Sequence, residues 1–475
     1  MIDELPQGWC DAGITEVAEV FLGKTPARTD YASSGSLKVV KFRDIHDGRV
    51  DFSNAKDGFV RNNGDALSSL RELRPGDVLI TSAAHSGENI GKKCAYVSSL
   101  PDQFSRVFFT GELLNIRCLD DTLSRWAYLF FRSIDGFSEI QEAVTGVHLT
   151  GGRAMQMRIP VAPLPEQRRI LRKLEKLLEK VDACQQRLAK IPALLKRFRQ
   201  SVLAAACSGR LTADWREERP PSDIAEENEL PPGWQRKTVE ELIPKGGIFD
   251  GPFGSNLKSD DYTKSGVRVI RLENIGQLRF IGEKETFISR EKYETLKKHT
   301  VDEGDIIFAS FIADEVRACV LPKLSTKAIA KADCFCLRPK PELVDRQYLV
   351  FQLISQKSYN TLVEEVHGAT RPRINTTQLR KLEVRVCPLP EQREIVRRVE
   401  ALFALADQIE ARYAKAKAYV EKLTPSLLVR AFRGELVPQD PNDEPASVLL
   451  ERIRSQRQRG NGANRKRKRA TLAAV

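Results

Sequence analysis

Pro163-Leu164-Pro165-Glu166-Gln167-Arg168 returns as Pro388-Leu389-Pro390-Glu391-Gln392-Arg393, 225 residues later. Downstream of the first copy, Ser201, Leu203, Gly209 and Leu211 recur as Ser426, Leu428, Gly434 and Leu436 at the same offset. Upstream, Leu5-Pro6-Gln7-Gly8-Trp9 recurs as Leu230-Pro231-Pro232-Gly233-Trp234. One repeat unit therefore fills almost half of the 475 residues, and whatever the chain does it does twice.

Outward from Glu166, apolar side chains fall at Ile170, Leu174, Leu177, Val181, Cys184, Leu188, Ile191, Leu195, Phe198 and Val202. Their spacing alternates four and three, the seam of a heptad helix. Adding 225 gives Ile395, Val399, Leu402, Ala406, Ile409, Tyr413, Ala416, Val420, Leu423 and Leu427, all apolar or aromatic. A lone stripe of this kind packs on its own domain's core; two matching stripes in one chain favour pairing with each other. Pro192 and Pro425 lie inside the seams at non-equivalent positions, so a kink or a helix restart is expected at each.

Ahead of each seam the pattern is short and strand-like. Leu37-Lys38-Val39-Val40-Lys41-Phe42, Pro75-Gly76-Asp77-Val78-Leu79-Ile80 and Leu113-Leu114-Asn115-Ile116-Arg117 predict strands, and residues 123–132 a helix. Long polar loops at 23–35 and 81–93 separate them, and long loops are where binding residues tend to sit. In the second half, Val267-Arg268-Val269-Ile270-Arg271-Leu272 and Gly304-Asp305-Ile306-Ile307-Phe308 match the first two strands at offsets of 230 and 228. The scaffold repeats while loops and side chains diverge, as two readers of different targets on one scaffold require.

The predicted fold class is α+β: two similar α+β domains, each followed by a long helix, the two helices pairing as an antiparallel coiled coil with pseudo-twofold symmetry. The expected segments are a first domain (1–162), a central helical spacer (163–212), an acidic linker (213–229), a second domain (230–387), a C-terminal helical spacer (388–455) and a basic tail (456–475). The length exceeds what one core serves, and 41% hydrophobic residues suffice for two. The absence of an 18-residue apolar run, and a start at Met1-Ile2-Asp3-Glu4 without a basic and apolar leader, predict a cytoplasmic protein. Nine scattered cysteines with no CxxC and five histidines predict reduced thiols and neither zinc nor a disulfide framework. The net charge of +12 is concentrated: Arg457, Arg459, Arg465, Lys466, Arg467, Lys468 and Arg469 in the tail carry seven, leaving +5 for the body. A basic end of this kind is a solvated tail, with non-specific phosphate contact as the sharper reading.

No catalytic constellation emerges. Gly87-Glu88-Asn89-Ile90-Gly91-Lys92-Lys93 is one residue short of a phosphate loop and ends in Lys where Ser or Thr should hold magnesium. Gly23-Lys24-Thr25 lacks an upstream glycine at the required spacing. Asp250-Gly251-Pro252-Phe253 is similar to the Asp-Pro-Pro-Phe turn of adenine methyltransferases, but the second residue is Gly and no glycine-rich cofactor loop precedes it. His85 with Ser86, and His148 with Thr150, have no third partner by spacing.

The whole pattern resembles the specificity subunits of type I restriction-modification enzymes, with helix ends like those of the first subclass. The resemblance rests on the Pro-Leu-Pro-Glu-Gln-Arg joint, Gly23-Lys24-Thr25-Pro26 leading to Tyr31, Val40-Lys41-Phe42-Arg43-Asp44-Ile45, Gly76-Asp77-Val78-Leu79-Ile80 and Gly251-Pro252-Phe253-Gly254-Ser255-Asn256-Leu257-Lys258. Ile191-Pro192-Ala193-Leu194-Leu195-Lys196-Arg197-Phe198-Arg199-Gln200 and Ala431-Phe432-Arg433-Gly434-Glu435-Leu436 add the helix ends. The second half departs from Gly-x-Thr-Pro and carries Gly-Pro-Phe-Gly in its place.

The resemblance implies a non-catalytic, double-stranded-DNA-reading subunit whose two α+β domains are target-recognition domains. Two methyltransferase (M) subunits acting at adenine N6 and the restriction (R) subunits would assemble on it, and S-adenosylmethionine, ATP and magnesium would belong to those partners. The target would be bipartite, one half-site per domain. Helices over 166–191 and 391–423 would span about 39 Å and about 50 Å, a ruler for the unread spacer. Candidate DNA-binding residues are Arg28, Arg43, His46, Ser82, His85, Ser86 and Asn89 in the first domain, and Asn256, Lys258, Arg271, Asn274, Arg317, Arg371, Arg373 and Asn375 in the second. Arg suits guanine O6 and N7, and Asn suits adenine N6 and N7. Candidate helix-pairing residues are Ile170, Leu174, Leu177, Val181, Leu188, Ile395, Val399, Leu402, Ile409 and Tyr413. The alternatives are a duplicated protein-interaction adaptor with a coiled-coil spacer, which the modest body charge permits, and a self-contained DNA methyltransferase or nuclease, which the missing motifs oppose.

Overall fold

The computed structural model describes residues 5–54, 58–62, 64–216, 230–254, 256–366 and 372–457. The chain divides into two compact units, Met1–Leu188 with Ala416–Val475, and Ala189–Lys415.

In the first unit, strand Cys10–Gly13 runs antiparallel to Arg158–Val161, with Cys10 opposite Val161 and Gly13 opposite Arg158. This ribbon ties the start of the domain to its end. An antiparallel sheet follows in the order Ala18–Leu22, Leu113–Cys118, Asp77–Thr81, Cys94–Tyr96. A second sheet is ordered Arg106–Phe109, Leu37–Val40, Phe59–Val60, Tyr31–Ala32, its first pair parallel. Strand alternation sends Leu79 one way and Val78 and Ile80 the other, and every residue of Asp77–Thr81 is buried because both faces are covered. Leu79 joins Val40, Val107 and Phe109 in one core cluster. Val78 and Ile80 join Trp126 of helix Asp121–Phe131 in another.

The second unit repeats the plan. Gln235–Thr238 pairs antiparallel with Glu383–Val386, and all four bounds are those of the first ribbon plus 225. The sheet order is Ile248–Phe249, Cys334–Leu337, Ile306–Ala309, Ala318–Val320, beside a five-stranded sheet in which Val267–Ile270 and Ala328–Ala330 are parallel. Helix Arg346–Leu353 stands 225 residues after Asp121–Phe131, each N-capped by an aspartate, Asp345 and Asp120.

The first long helix, Leu164–Ala189, starts two residues before the expected Glu166. Pro165 sits in its first turn, where a missing N–H costs nothing. The helix breaks at Lys190 and resumes as Ile191–Ser208 with Pro192 in the new first turn, the restart expected there. Pro425 behaves differently, because Leu389–Phe432 continues through it for 44 residues. The carbonyl that loses its partner belongs to exposed Glu421, where water can serve it.

Segments of the long helices pack together within each unit. In the first, Ile170, Leu174 and Val181 are buried, and Ile170 and Leu174 share a core with Leu428, Ala431 and Phe432 from the end of the last helix. In the second, Val202, Leu203 and Ala206 share a core with Ile395 and Val399. There Arg199 bonds Asp407 at 2.7 Å and Glu410 at 2.8 Å, while Arg398 bonds the Leu211 carbonyl at 2.8 Å. Rising numbers on one helix meet falling numbers on the other, so the pair is antiparallel. Leu177, Leu188, Leu402 and Tyr413 are half-buried, whereas Cys184, Phe198 and Ile409 are exposed. The seam is therefore packed at Ile170, Leu174 and Val181 in the first unit and at Val202, Ile395 and Val399 in the second, and open at Cys184, Phe198 and Ile409. Among the described residues no helix is long and apolar enough to cross a membrane.

Candidate nucleic-acid interface

At one end of each domain, loops that are distant in sequence are tied by backbone hydrogen bonds. In the first unit the Thr110 N–H donates to the Val40 carbonyl at 3.1 Å, and Lys24 N–H to Phe109 at 3.1 Å. A Cβ on Gly23 would run into the carbonyls of Phe109 and Thr110, so the chain passes there only as glycine. Thr25 Oγ1 accepts from Gly111 N–H at 3.1 Å. Ser82 N–H donates to Glu112 at 2.8 Å, Leu149 N–H donates to Ser82 at 2.7 Å, and Ala83 lies opposite His148 in an antiparallel bridge.

The second unit is built on the same skeleton. Lys331 N–H donates to Ile270 at 2.9 Å, Ser310 N–H to Asp333 at 2.9 Å and Ile374 N–H to Ser310 at 3.0 Å, and Phe311 lies opposite Arg373. Gly251 takes the place of Gly23, pressed against the Lys331 backbone. Local offsets of 221 to 230 align the partners, so Thr110 matches Lys331, Glu112 matches Asp333, and His148 matches Arg373. The skeleton is common and the side chains on it differ.

Cations and aromatic rings gather on these loops. Lys41 stands 4.5 Å over the Tyr31 ring. Arg271, 230 residues on, stands 5.8 Å over Tyr262, whose hydroxyl also accepts from Lys331 Nζ at 2.7 Å. Lys93 lies 5.6 Å over exposed Phe42. Arg373 stacks 4.3 Å over Phe311 and pairs with Asp333 at 3.4 Å. Burial pushes the Asp250 carboxyl up to about 6, with the Gly251 N–H opposing and the Asp333 charge adding to the rise. Phe253 of the Gly-Pro-Phe-Gly loop is 60% exposed.

The expected DNA-binding residues fall into two groups. Arg28, His85, Asn89, Asn256, Lys258 and Arg373 are exposed on these or adjoining loops. His46 is exposed on the hairpin Ile45–His46/Arg49–Val50, whose turn needs positive φ at Asp47 and Gly48. Ser86 and Arg43 are half-buried, Arg43 beside Asp44 at 4.0 Å. Arg271 is half-buried over Tyr262, while Ser82, Asn274 and Arg317 spend donors inside the fold and Asn375 its side-chain oxygen. Ser82 is buried and donates to the Gly111 carbonyl at 3.2 Å. Asn274 is buried, accepts from Arg271 N–H and donates to Ile281 and Lys284 carbonyls at 2.9 Å each, a turn pin like Asp44. Arg317 donates to the Leu272 and Ile275 carbonyls at 3.0 and 3.1 Å. Asn375 caps helix Thr376–Lys381. Arg371 lies outside the described residues. Tyr31, Lys41, Tyr262, Phe311, Lys331 and His148 join the cluster although none is among the expected DNA-binding residues; aligning the two halves position by position finds them.

Among the described residues no three His, Cys, Asp or Glu side chains come together to hold a metal ion. All nine cysteines are free thiols, and burial pushes those of Cys94, Cys207, Cys319 and Cys387 up to about 12, which makes them inert.

The family model described as type I restriction modification DNA specificity domain matches residues 231–417. The EcoKI specificity subunit of Escherichia coli K12 is 27% identical over 98% of this chain and 99% of its own length. The EcoBI specificity subunit of E. coli is 30% identical over 88% of this chain and 90% of its own. A chain from a structure of type I restriction-modification complex assembly and conformational transition shares the fold, with a TM-score of 0.65, 19% identity and coverage of 91% of this chain and 99% of that one. Near-full-length similarity to proteins of one kind, over a duplicated α+β fold, means that this chain belongs to the specificity subunits of type I restriction-modification enzymes, their non-catalytic DNA-recognition components.

Proposed function

We propose that this subunit reads a bipartite duplex DNA target, one half-site per recognition domain, and is the frame on which two methyltransferase subunits acting at adenine N6 and the restriction subunits assemble. The observation that carries the reading is the loop cluster, built twice on one hydrogen-bonded skeleton with different side chains. A common skeleton presents each domain to DNA in the same way, and different side chains give each half-site its own sequence.

Recognition domains at 1–162 and 230–387 are joined by helical spacers at 163–212 and 388–455, with a linker at 213–229 and a basic tail at 456–475. The exposed side chains Arg28, His46, His85, Asn89, Asn256, Lys258 and Arg373 face the half-sites. S-adenosylmethionine, ATP and magnesium belong to the partner subunits, and the complex works on chromosomal DNA in the cytoplasm. Mapping N6-methyladenine across the host genome with and without the gene for this chain tests the reading. The expected result is one interrupted motif, methylated in both halves, that disappears with the gene. An unchanged methylation map overturns it.

A further inference from the structure

Each domain holds a two-stranded contact within its loop cluster, and the two contacts share a register. Residues 82–84 meet 147–149 in the first unit, with Leu149 N–H to Ser82 at 2.7 Å, Ala84 N–H to Val147 at 3.4 Å and Ala83 opposite His148. Residues 310–312 meet 372–374 in the second, with Ile374 N–H to Ser310 at 3.0 Å, Ile312 N–H to Pro372 at 3.1 Å and Phe311 opposite Arg373. The backbone is the same; the paired side chains are Ala and His in one and Phe and Arg in the other.

We propose that this bridged pair is a base-reading position of each domain, and that in the second unit Arg373 reads a guanine. The proposal rests on the functional reading above and deepens it. Phe311 covers one face of the guanidinium at 4.3 Å, and Asp333 holds it from one side at 3.4 Å. Asp333 is itself fixed by Ser310 Oγ, which donates to its Oδ1 at 3.1 Å. Half of the Arg373 side chain stays open to solvent. A planar fork held on its face and one side is pre-oriented for a two-acceptor edge, and guanine O6 and N7 are such an edge. The first unit offers an imidazole beside a methyl group at this place, so its half-site is read by different chemistry from the same position.

The test uses the full chain assembled with its methyltransferase subunits. Binding is measured to the mapped target, to duplexes with each target base pair replaced in turn, and to random duplex, at several salt concentrations. Arg373→Ala is expected to weaken cognate binding by roughly tenfold to a hundredfold. The loss should be confined to one guanine of one half-site, where the variant accepts other bases, with random-duplex affinity and salt slope unchanged. Arg373→Lys should behave the same way, because an ammonium keeps the charge and lacks the fork. Phe311→Leu, which keeps Arg373, should weaken discrimination at that same base pair. Thermal unfolding of each variant separates loss of fold from loss of reading. Wild-type affinity in Arg373→Lys, or equal weakening on all duplexes with a shallower salt slope, makes the residue a phosphate contact and overturns the proposal. A wild-type preference untouched by all three substitutions overturns it alone. A wild-type complex with no sequence preference overturns the functional reading and this proposal with it.

Discussion

The indole N–H of Trp234 donates to the buried carboxylate of Glu391 at 3.1 Å, and Trp9 makes the same bond to Glu166 at 3.1 Å. Both pairs are 157 residues apart. The bond joins the first segment of a repeat to the first turn of its helix, directly beside the closing ribbon. Gln167 and Gln392 complete each joint, donating to the carbonyls of Ala162 and Cys387 at 2.7 Å. The repeated Pro-Leu-Pro-Glu-Gln-Arg is thus a fastening between domain and helix.

The two fastenings differ in their partners. Glu391 also accepts from Thr212 Oγ1 at 2.7 Å and pairs with Arg216. The residues 225 positions after those two are Val437 and Pro441, so Glu166 lacks both partners, and burial pushes its carboxyl up against the opposing Trp9 N–H. Glu391→Ala removes the acceptor of Thr212 Oγ1 and of the Trp234 indole and the counter-charge of half-buried Arg216, which keeps the Gly209 carbonyl, and should cost about 3–5 kcal/mol. Glu166→Ala should cost about 1–3 kcal/mol. Hydrogen exchange of Glu383–Val386 and of Arg158–Val161 in the respective variants measures both. Equal loss of protection in the two ribbons contradicts the asymmetry.

Asp250 gives the second unit a pH signature. Its folded pKa of about 6 lies above the unfolded carboxylate value because burial disfavours the charge. A raised pKa stabilises the fold fully below the unfolded value, near 4, and that contribution is lost as pH rises through about 6. The side chain is partly exposed, so solvent screening limits the effect to about 1–2 kcal/mol. Asp250→Asn keeps the side-chain acceptor for Gly251 N–H and removes the titration. The urea midpoint of wild type, relative to the variant, should fall between about pH 4 and about pH 7.

Lys41 and Arg271 occupy equivalent places, each over a tyrosine, in domains whose neighbouring side chains differ. A cation over a tyrosine kept in both copies suits the part of DNA that is the same everywhere, the phosphate backbone. Lys41→Ala and Arg271→Ala should each weaken binding to every duplex alike and lower the salt slope by about 1, leaving the methylated motif unchanged. Filter binding across a salt series reads the slope, and a shift in motif contradicts the assignment.

The α+β class and the duplication were legible because the ends of each repeat are fixed by the ribbons. An insertion there would shift Cys10 off Val161 or Gln235 off Val386, so the 225 offset holds at both ends and drifts only between them. Strands such as Leu37–Val40 and Val267–Ile270 were legible from composition. The seam was legible as spacing, but spacing does not say where a helix finds a partner, and Phe198 and Ile409 stand exposed. The site was the least legible part. Asn274 and Arg317 have the side chains of base readers, yet both bond carbonyls of their own fold, a commitment set by long-range packing. Conversely, His148 and Arg373 gain their meaning from residues 65 and 62 positions away, Ala83 and Phe311.

The helices set the final prediction. The last helix, at 44 residues, is about 66 Å long, and one heptad is about 10.5 Å, close to three base pairs of DNA. If helix length sets the distance between half-sites, removing one heptad from each long helix, with the seam kept in phase, should shorten the preferred spacer by about three base pairs or abolish binding. Both half-site sequences should survive unchanged, because the loops that read them do not depend on the middle of a helix. Selection from a duplex library with randomised spacer length gives the result directly. A wild-type spacer preference in the shortened protein removes the helices from the role of ruler.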